Sequence, residues 1–135
     1  ESIIEQAEEK NINKKDLIIT SALHYQVPLN ISLFDRSIFF ILPAYSKKAS
    51  SPTKQGEIMA MGIPLVCNSG VGDTDAIVRE YNSGLVIDEF TEAEYLNAIS
   101  NTIQFDPNNI TRGAREYFSL EEGVNRYLSI YQSCV

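Results

Sequence analysis

The chain has 135 residues, about one domain's worth, and its 44% hydrophobic and 21% charged residues are ordinary for a folded globular protein. Eleven basic against eighteen acidic side chains leave a net charge of −7, which argues against a general nucleic-acid binder or a basic membrane-surface domain. No run approaches the roughly 18 apolar residues of a membrane span, and the first residues lack a charged-then-apolar signal pattern. Two cysteines, Cys67 and Cys134, provide neither a disulfide framework nor a CxxC metal pair. The composition reads as a soluble, cytoplasmic chain without a structural metal.

Residues 2–12 set Ile3, Ile4, Ala7 and Ile12 among acids and amides, the spacing of an amphipathic helix. After a polar break at 13–16, Leu17, Ile18, Ile19 and Thr20 read as a short buried strand. A loop over 24–28 leads to a brief helix over 29–34. The apolar run at 38–42, stopped by Pro43, predicts a strand buried on both faces. A small, polar loop follows at 44–51, then a helix over 52–61 with Gly62 just past its end. Residues 64–67 predict a third strand, 73–81 a helix and 84–87 a fourth strand. Helical patterns cover 91–103, 109–118 and 120–131, the last with Ser119 as its cap and Glu122 three residues on.

This alternation predicts an α/β fold, a Rossmann-like parallel sheet of about four or more strands flanked by helices. Ligands of such sheets sit at the carboxyl ends of the strands, where helix N-termini point. The chain opens directly in a helix, as though the first strands of a larger doubly wound domain were missing.

The strongest local signal is a charge anomaly. Residues 37–56 carry no acidic side chain, yet hold Lys47, Lys48 and Lys54. Ser51-Pro52-Thr53-Lys54 is a good helix start, with Ser51 as cap and Pro52 at the first helical position, where its missing N–H costs nothing. The free amides of Thr53 and Lys54 then face outward at the positive end of the helix dipole, and the lysine adds a full charge. Glu57, three residues on, shares the face of Lys54. A cationic first turn with a carboxylate one turn deeper suits a nucleotide: amides and lysine take the diphosphate, and the carboxylate accepts from the ribose diol. The plainer alternative is a solvated loop with an exposed Lys–Glu pair.

The segment Ser51-Pro52-Thr53-Lys54-Gln55-Gly56-Glu57-Ile58-Met59-Ala60-Met61-Gly62-Ile63-Pro64-Leu65-Val66 resembles the donor-site segment of bacterial family-four retaining glycosyltransferases, in particular an S-P-T-K-x-x-E-x-x-A-x-G-x-P-x-V pattern. Gly70-Val71-Gly72-Asp73-Thr74-Asp75 running on to Gly84-Leu85-Val86 is similar as well, as are Ala114-Arg115-Glu116-Tyr117-Phe118-Ser119 and the stretch at 127–131. The resemblance spans about residue 17 to the end.

It implies the C-terminal half of a GT-B fold, in which two Rossmann-like domains face across a cleft and the C-terminal one binds a nucleoside-diphosphate sugar. Residues 1–135 would be that single donor-binding domain, truncated at its N-terminus. The acceptor domain would be missing and the fragment inactive alone. No metal and no cofactor are implied, since the nucleotide-sugar is the donor substrate. The parent would work in the cytoplasm, in polysaccharide assembly, touching the inner face of the membrane only through its other parts.

By position, Glu57 matches the second glutamate of the family's E-x7-E motif, which holds the donor ribose. The first falls at Ala49, a departure from the pattern. Thr53 and Lys54 align where backbone amides and a side chain meet the diphosphate, beside Ser51. Lys54 is the candidate catalytic residue, stabilising the departing diphosphate electrostatically, with Lys47 or Lys48 as a flexible helper. His24-Tyr25-Gln26-Val27 occupies the loop that cradles the base in relatives, through the backbone of Val27. Gly72-Asp73-Thr74-Asp75-Ala76 stands in place of the usual G-G-x-P-E element and takes no ligand role.

The remaining residues read more simply. His24 is a loop histidine satisfied by backbone, Asp73 or Thr74 caps the following helix, and Gly70-Val71-Gly72 is too short for a dinucleotide fingerprint. Met59 and Met61 are core filler. Tyr117, Phe118, Tyr127, Leu128 and Tyr131 form a packing stripe, part of it free to meet a partner domain. Three other functions fit the class: a receiver-type signalling module, half of a nucleotide-sugar epimerase, or a non-enzymatic nucleotide-binding domain. The first needs carboxylates after its strands, but Pro43-Ala44-Tyr45 and Ser21 stand there instead.

Overall fold

Three of the apolar runs lie side by side in the structure, a computed structural model that describes residues 2–134. They are β1 (Ser37–Ile38), β2 (Leu65–Asn68) and β3 (Gly84–Ile87), all parallel, in the order β1-β2-β3. Ser37 stands opposite Leu65 and Ile38 opposite Val66, and Leu65 in turn pairs with Gly84. Helices α1 (Ile3–Glu9) and α2 (Val27–Ile31) precede the sheet. Parallel neighbours need a crossover, and α3 (Thr53–Ala60) and α4 (Thr74–Glu80) supply the two. Then come α5 (Glu92–Ser100), α6 (Pro107–Phe118) and α7 (Leu120–Ser133).

Alternation along the strands divides the core between the two sheet faces. Leu65 and Cys67 pack with Ile58 and Met59 of α3, Ile77 and Val78 of α4, and Ile110 and Ala114 of α6. Val66 and Ile87 turn the other way, onto Ala98 of α5 with Leu85 and Tyr95 beside them. The α3–α6 contact is close because Gly56 has no side chain; a Cβ there would stand 2.9 Å from the Phe118 ring. Ser119 caps α7 as its spacing predicts, accepting from the Glu122 amide at 3.2 Å.

Burial makes the thiol of Cys67 a poor nucleophile: its pKa is pushed up to about 12, with the charge of Asp75 adding to the effect and Arg79 opposing it. Cys134 lies exposed in the last turn. Native protein is therefore expected to release one equivalent of thiol rapidly to an aromatic disulfide reagent, and the second only on unfolding. Two equally fast thiols would mean that β2 is not in the core.

Five expectations are corrected. The sheet has three strands among the described residues, not the expected four or more, because 17–20 forms no strand and pairs with no neighbour. The run has β character but no strand edge reaches it, and Ile18 is 91% exposed. The strand expected at 38–42 pairs only through Ser37 and Ile38, with one further bond from the Phe39 amide to the Val66 carbonyl. Beyond it, the side-chain amide of Asn68 takes over the ladder: the Ile41 amide donates to its Oδ1 at 2.7 Å, and its Nδ2 donates to the Ile41 carbonyl at 2.9 Å. Phe40 and Leu42 are consequently exposed rather than buried on both faces.

The brief helix begins two residues early, at Val27, since Pro28 suits its first turn. Met59 is core, but Met61 has left the helix and is 37% exposed. The aromatic stripe is also split. Tyr117 and Phe118 pack, whereas α7 buries none of its residues and leaves Tyr127, Leu128 and Tyr131 in solvent.

Candidate functional site

The loop after β1 and the loop after β2 meet at the carboxyl edge of the sheet. Residues Tyr45–Ala49 form a 3-10 turn, closed by bonds from the Lys47 amide to the Ala44 carbonyl and from the Ser50 amide to the Lys47 carbonyl. The Gly72 amide donates to that same Lys47 carbonyl at 3.1 Å. Gly72 has φ +51°, and a Cβ on it would stand 2.0 Å from the Ser50 carbonyl oxygen. Only glycine fits there, on conformation and on space alike. The basic loop is thereby seated on its neighbour at the start of α3.

That start differs from the expected one. Pro52, not Ser51, takes the cap position, with extended backbone and no capping side chain, so the helix opens at Thr53. The Gln55 amide closes onto the Pro52 carbonyl at 3.0 Å, while the amides of Thr53 and Lys54 have no acceptor among the described residues. The turn therefore keeps two unpartnered amides despite the shifted cap.

Three hollows flank α3. One, of about 390 Å³, lies between α2, β1 and α3 and is lined by Val27, Ile31, Ile38, Lys54 and Glu57. Beside it a second recess of about 250 Å³ adds His24 and Ala60 to Val27 and Glu57. On the far side, a wider groove of about 690 Å³ between α3 and α6 is lined by Thr53, Glu57, Thr111, Arg115 and Phe118. Val27, Lys54 and Glu57 are thus brought together, and Glu57 sits on the ridge between the two sides. Thr53 faces the groove. Ser51, Lys47 and Lys48 are exposed and border none of these hollows, and Ala49 stands on the same exposed turn. Lys54 and Glu57 are both exposed and make no ion pair among the described residues.

His24 opens the 3-10 turn His24–Gln26 and is exposed, with no side-chain hydrogen bond to backbone among the described residues, so the expected backbone tie is not made. Asp73 does take the cap position of α4, but its carboxylate does not cap. It accepts instead from the Tyr117 hydroxyl, 44 residues on. That bond, then burial and the carboxylate charge raise the tyrosine pKa, against the lowering effect of Arg126. The Arg126 guanidinium sits 4.5 Å from the Tyr117 ring centroid and pairs with Glu122 at 3.0 Å. Together they tie α6 and α7 to the loop after β2.

Sequence reasoning gave no role to Arg115 or to this Asp73–Tyr117 tie. The spacing of Thr111, Arg115 and Phe118 along one helical face was a readable signal for the groove wall. Nothing in the sequence marked the tie, which joins distant segments.

No family profile, curated protein or solved structure matches this chain. Its function rests on the site itself.

Among the described residues, no cluster of three His, Cys, Asp or Glu side chains is placed to hold a metal ion, and no helix is long and apolar enough to cross a membrane. The chemistry the site offers is electrostatic: two free amides and an ammonium group for an anion, and a free carboxylate that can accept from paired hydroxyls.

Proposed function

We propose that this chain is the nucleotide-sugar-binding domain of a retaining, metal-independent glycosyltransferase of GT-B architecture. The observation that carries the reading is the hollow beside β1, where Val27, Lys54 and Glu57 share one wall system at the carboxyl edge of a parallel sheet. In this reading the diphosphate lies on the first turn of α3, against the amides of Thr53 and Lys54. The ribose diol donates to Glu57, and the base enters toward the backbone of Val27.

Sugar transfer places growing negative charge on the departing diphosphate. A fixed helix terminus and a lysine stabilise that charge without reorganising, which is the condition for electrostatic catalysis. Lys54 is the residue assigned to it. Lys47 and Lys48, on the seated loop, add to the local positive field and reach the ligand only by side-chain movement. Ala49 has no carboxylate to offer the donor sugar, so contacts to the sugar come from other groups. A separate acceptor domain completes the cleft, and the chain alone binds nucleotide without turning over donor.

Titration calorimetry with UDP and GDP tests the reading directly, and no saturable binding of either would overturn it. Glu57→Ala is expected to raise the dissociation constant about tenfold, the scale of one lost charge-assisted hydrogen bond. The same variant should leave inorganic pyrophosphate binding unchanged, because the carboxylate meets the ribose. Equal loss for both ligands would remove Glu57 from the ribose contact.

A further inference from the structure

Gln55 is a polar side chain with no solvent exposure at all, on the turn of α3 that carries Thr53 and Lys54. Its Nε2 donates to the carbonyl of Thr74 at 3.1 Å, the first residue of α4. That contact fixes which way the amide points, since a carbonyl can only accept. The Gln55 Oε1 is therefore turned away from it, buried and without a donor. Thr74 is 1% exposed, and its Oγ1 is likewise buried and without a partner. Buried polar atoms are rarely left unpaired, and two orphans on residues already joined by a bond from the Gln55 amide to the Thr74 backbone carbonyl are what a buried water satisfies.

We propose that Gln55, Thr74 and one water bridging Gln55 Oε1 to Thr74 Oγ1 form a buried clamp that positions the first turn of α3. The water donates one proton to the amide oxygen and shares a hydrogen bond with the hydroxyl. The direct Nε2–carbonyl bond supplies the second tie. Helix ends fray most easily in their first turn, where four amides lack intrahelical partners. The clamp opposes fraying from the buried side and leaves the outward amides of Thr53 and Lys54 free. Gln55 makes no ligand contact; it is a positioning residue, and its value for diphosphate binding rests on the function proposed above.

Hydrogen exchange followed by NMR reads the clamp without any ligand. In Gln55→Leu, which keeps the buried volume, the amides of Gly56, Glu57 and Ile58 should exchange about tenfold faster, a fold-change of the size one lost hydrogen bond produces. Amides of β2 and α6 should keep their rates. Thr74→Val should reproduce part of the effect and abolish the water contact to the Gln55 side-chain amide. Thr74→Ser, which restores the hydroxyl, should restore both. Unchanged exchange in Gln55→Leu, or a Thr74→Val variant identical to wild type, would overturn the clamp.

UDP and uridine titrations of the same proteins separate the two claims. A positioned first turn predicts that Gln55→Leu weakens UDP several-fold and leaves uridine unchanged, since only the diphosphate meets that turn. Wild-type protein that binds neither ligand overturns the functional reading, and the exchange data still decide the clamp.

Discussion

Replacing Lys54 by alanine is expected to weaken nucleoside-diphosphate binding by about 1–3 kcal/mol, the range for losing a hydrogen bond to a charged partner. In dissociation constant this is a rise of about five- to 150-fold. Two features set the size. Lys54 is free of any internal ion pair among the described residues, so its charge is available to a ligand. It also stands beside unpartnered helix amides, where charge and dipole act on the same anion. Its exposure means that salt screens the interaction, so the effect should shrink between low ionic strength and 0.5 M salt, where the Debye length falls to roughly 4 Å. Lys14→Ala, on the turn after α1, serves as a control and should leave binding intact. An unchanged dissociation constant for Lys54→Ala would remove the lysine from the site.

Gly72→Ala should cost about 2–4 kcal/mol of stability, read as a lower urea midpoint at unchanged slope. Two independent penalties combine in that figure. A side chain at φ +51° is strained, and the added carbon would stand 2.0 Å from a backbone oxygen, Ser50 O, that cannot swing aside like a flexible side chain. Relief requires the 44–51 loop to move off the 69–73 loop. Because that loop leads into α3, the variant should also bind UDP more weakly than its loss of stability explains. A midpoint equal to wild type would show that the two loops do not meet at Gly72.

The two substitutions probe different levels. Lys54 is a surface group whose removal leaves the fold alone. Gly72 carries no chemistry and acts by holding two loops together at the sheet edge. Affinity lost with stability kept, against both lost together, is the signature that tells a ligand contact from its support.

Much of the architecture was legible because local rules and tertiary demand agreed. Val66 and Cys67 lie in an apolar run short enough for a strand, and Gly62 stops the helix before them. Ser119 with Glu122 marked the start of α7 to the residue. The same agreement failed at 17–20, where four residues have β character but no edge to pair with. It failed again at Pro52, where a rule favouring proline inside the first turn gave way to a cap with extended backbone. At Phe40 and Leu42 an apolar run did not mean burial, because the Asn68 side chain replaced a strand ladder and the outer edge of the run stayed open.

Composition, period and spacing by themselves determined the α/β class, the central strands, the helix that opens at residues 52–53, and the cationic, acid-free stretch leading into it. Those properties are local, set by a few neighbouring residues and the handful of conformations open to them. Only the tertiary structure decided that Val27 stands across a hollow from Lys54 and Glu57, that Asp73 turns from capping to meet Tyr117, and that Gln55 is buried against Thr74. Each of these joins segments between 19 and 44 residues apart or closes a space between packed elements. Such contacts form because whole faces bury together, and no short window of sequence carries the angle at which two faces will meet.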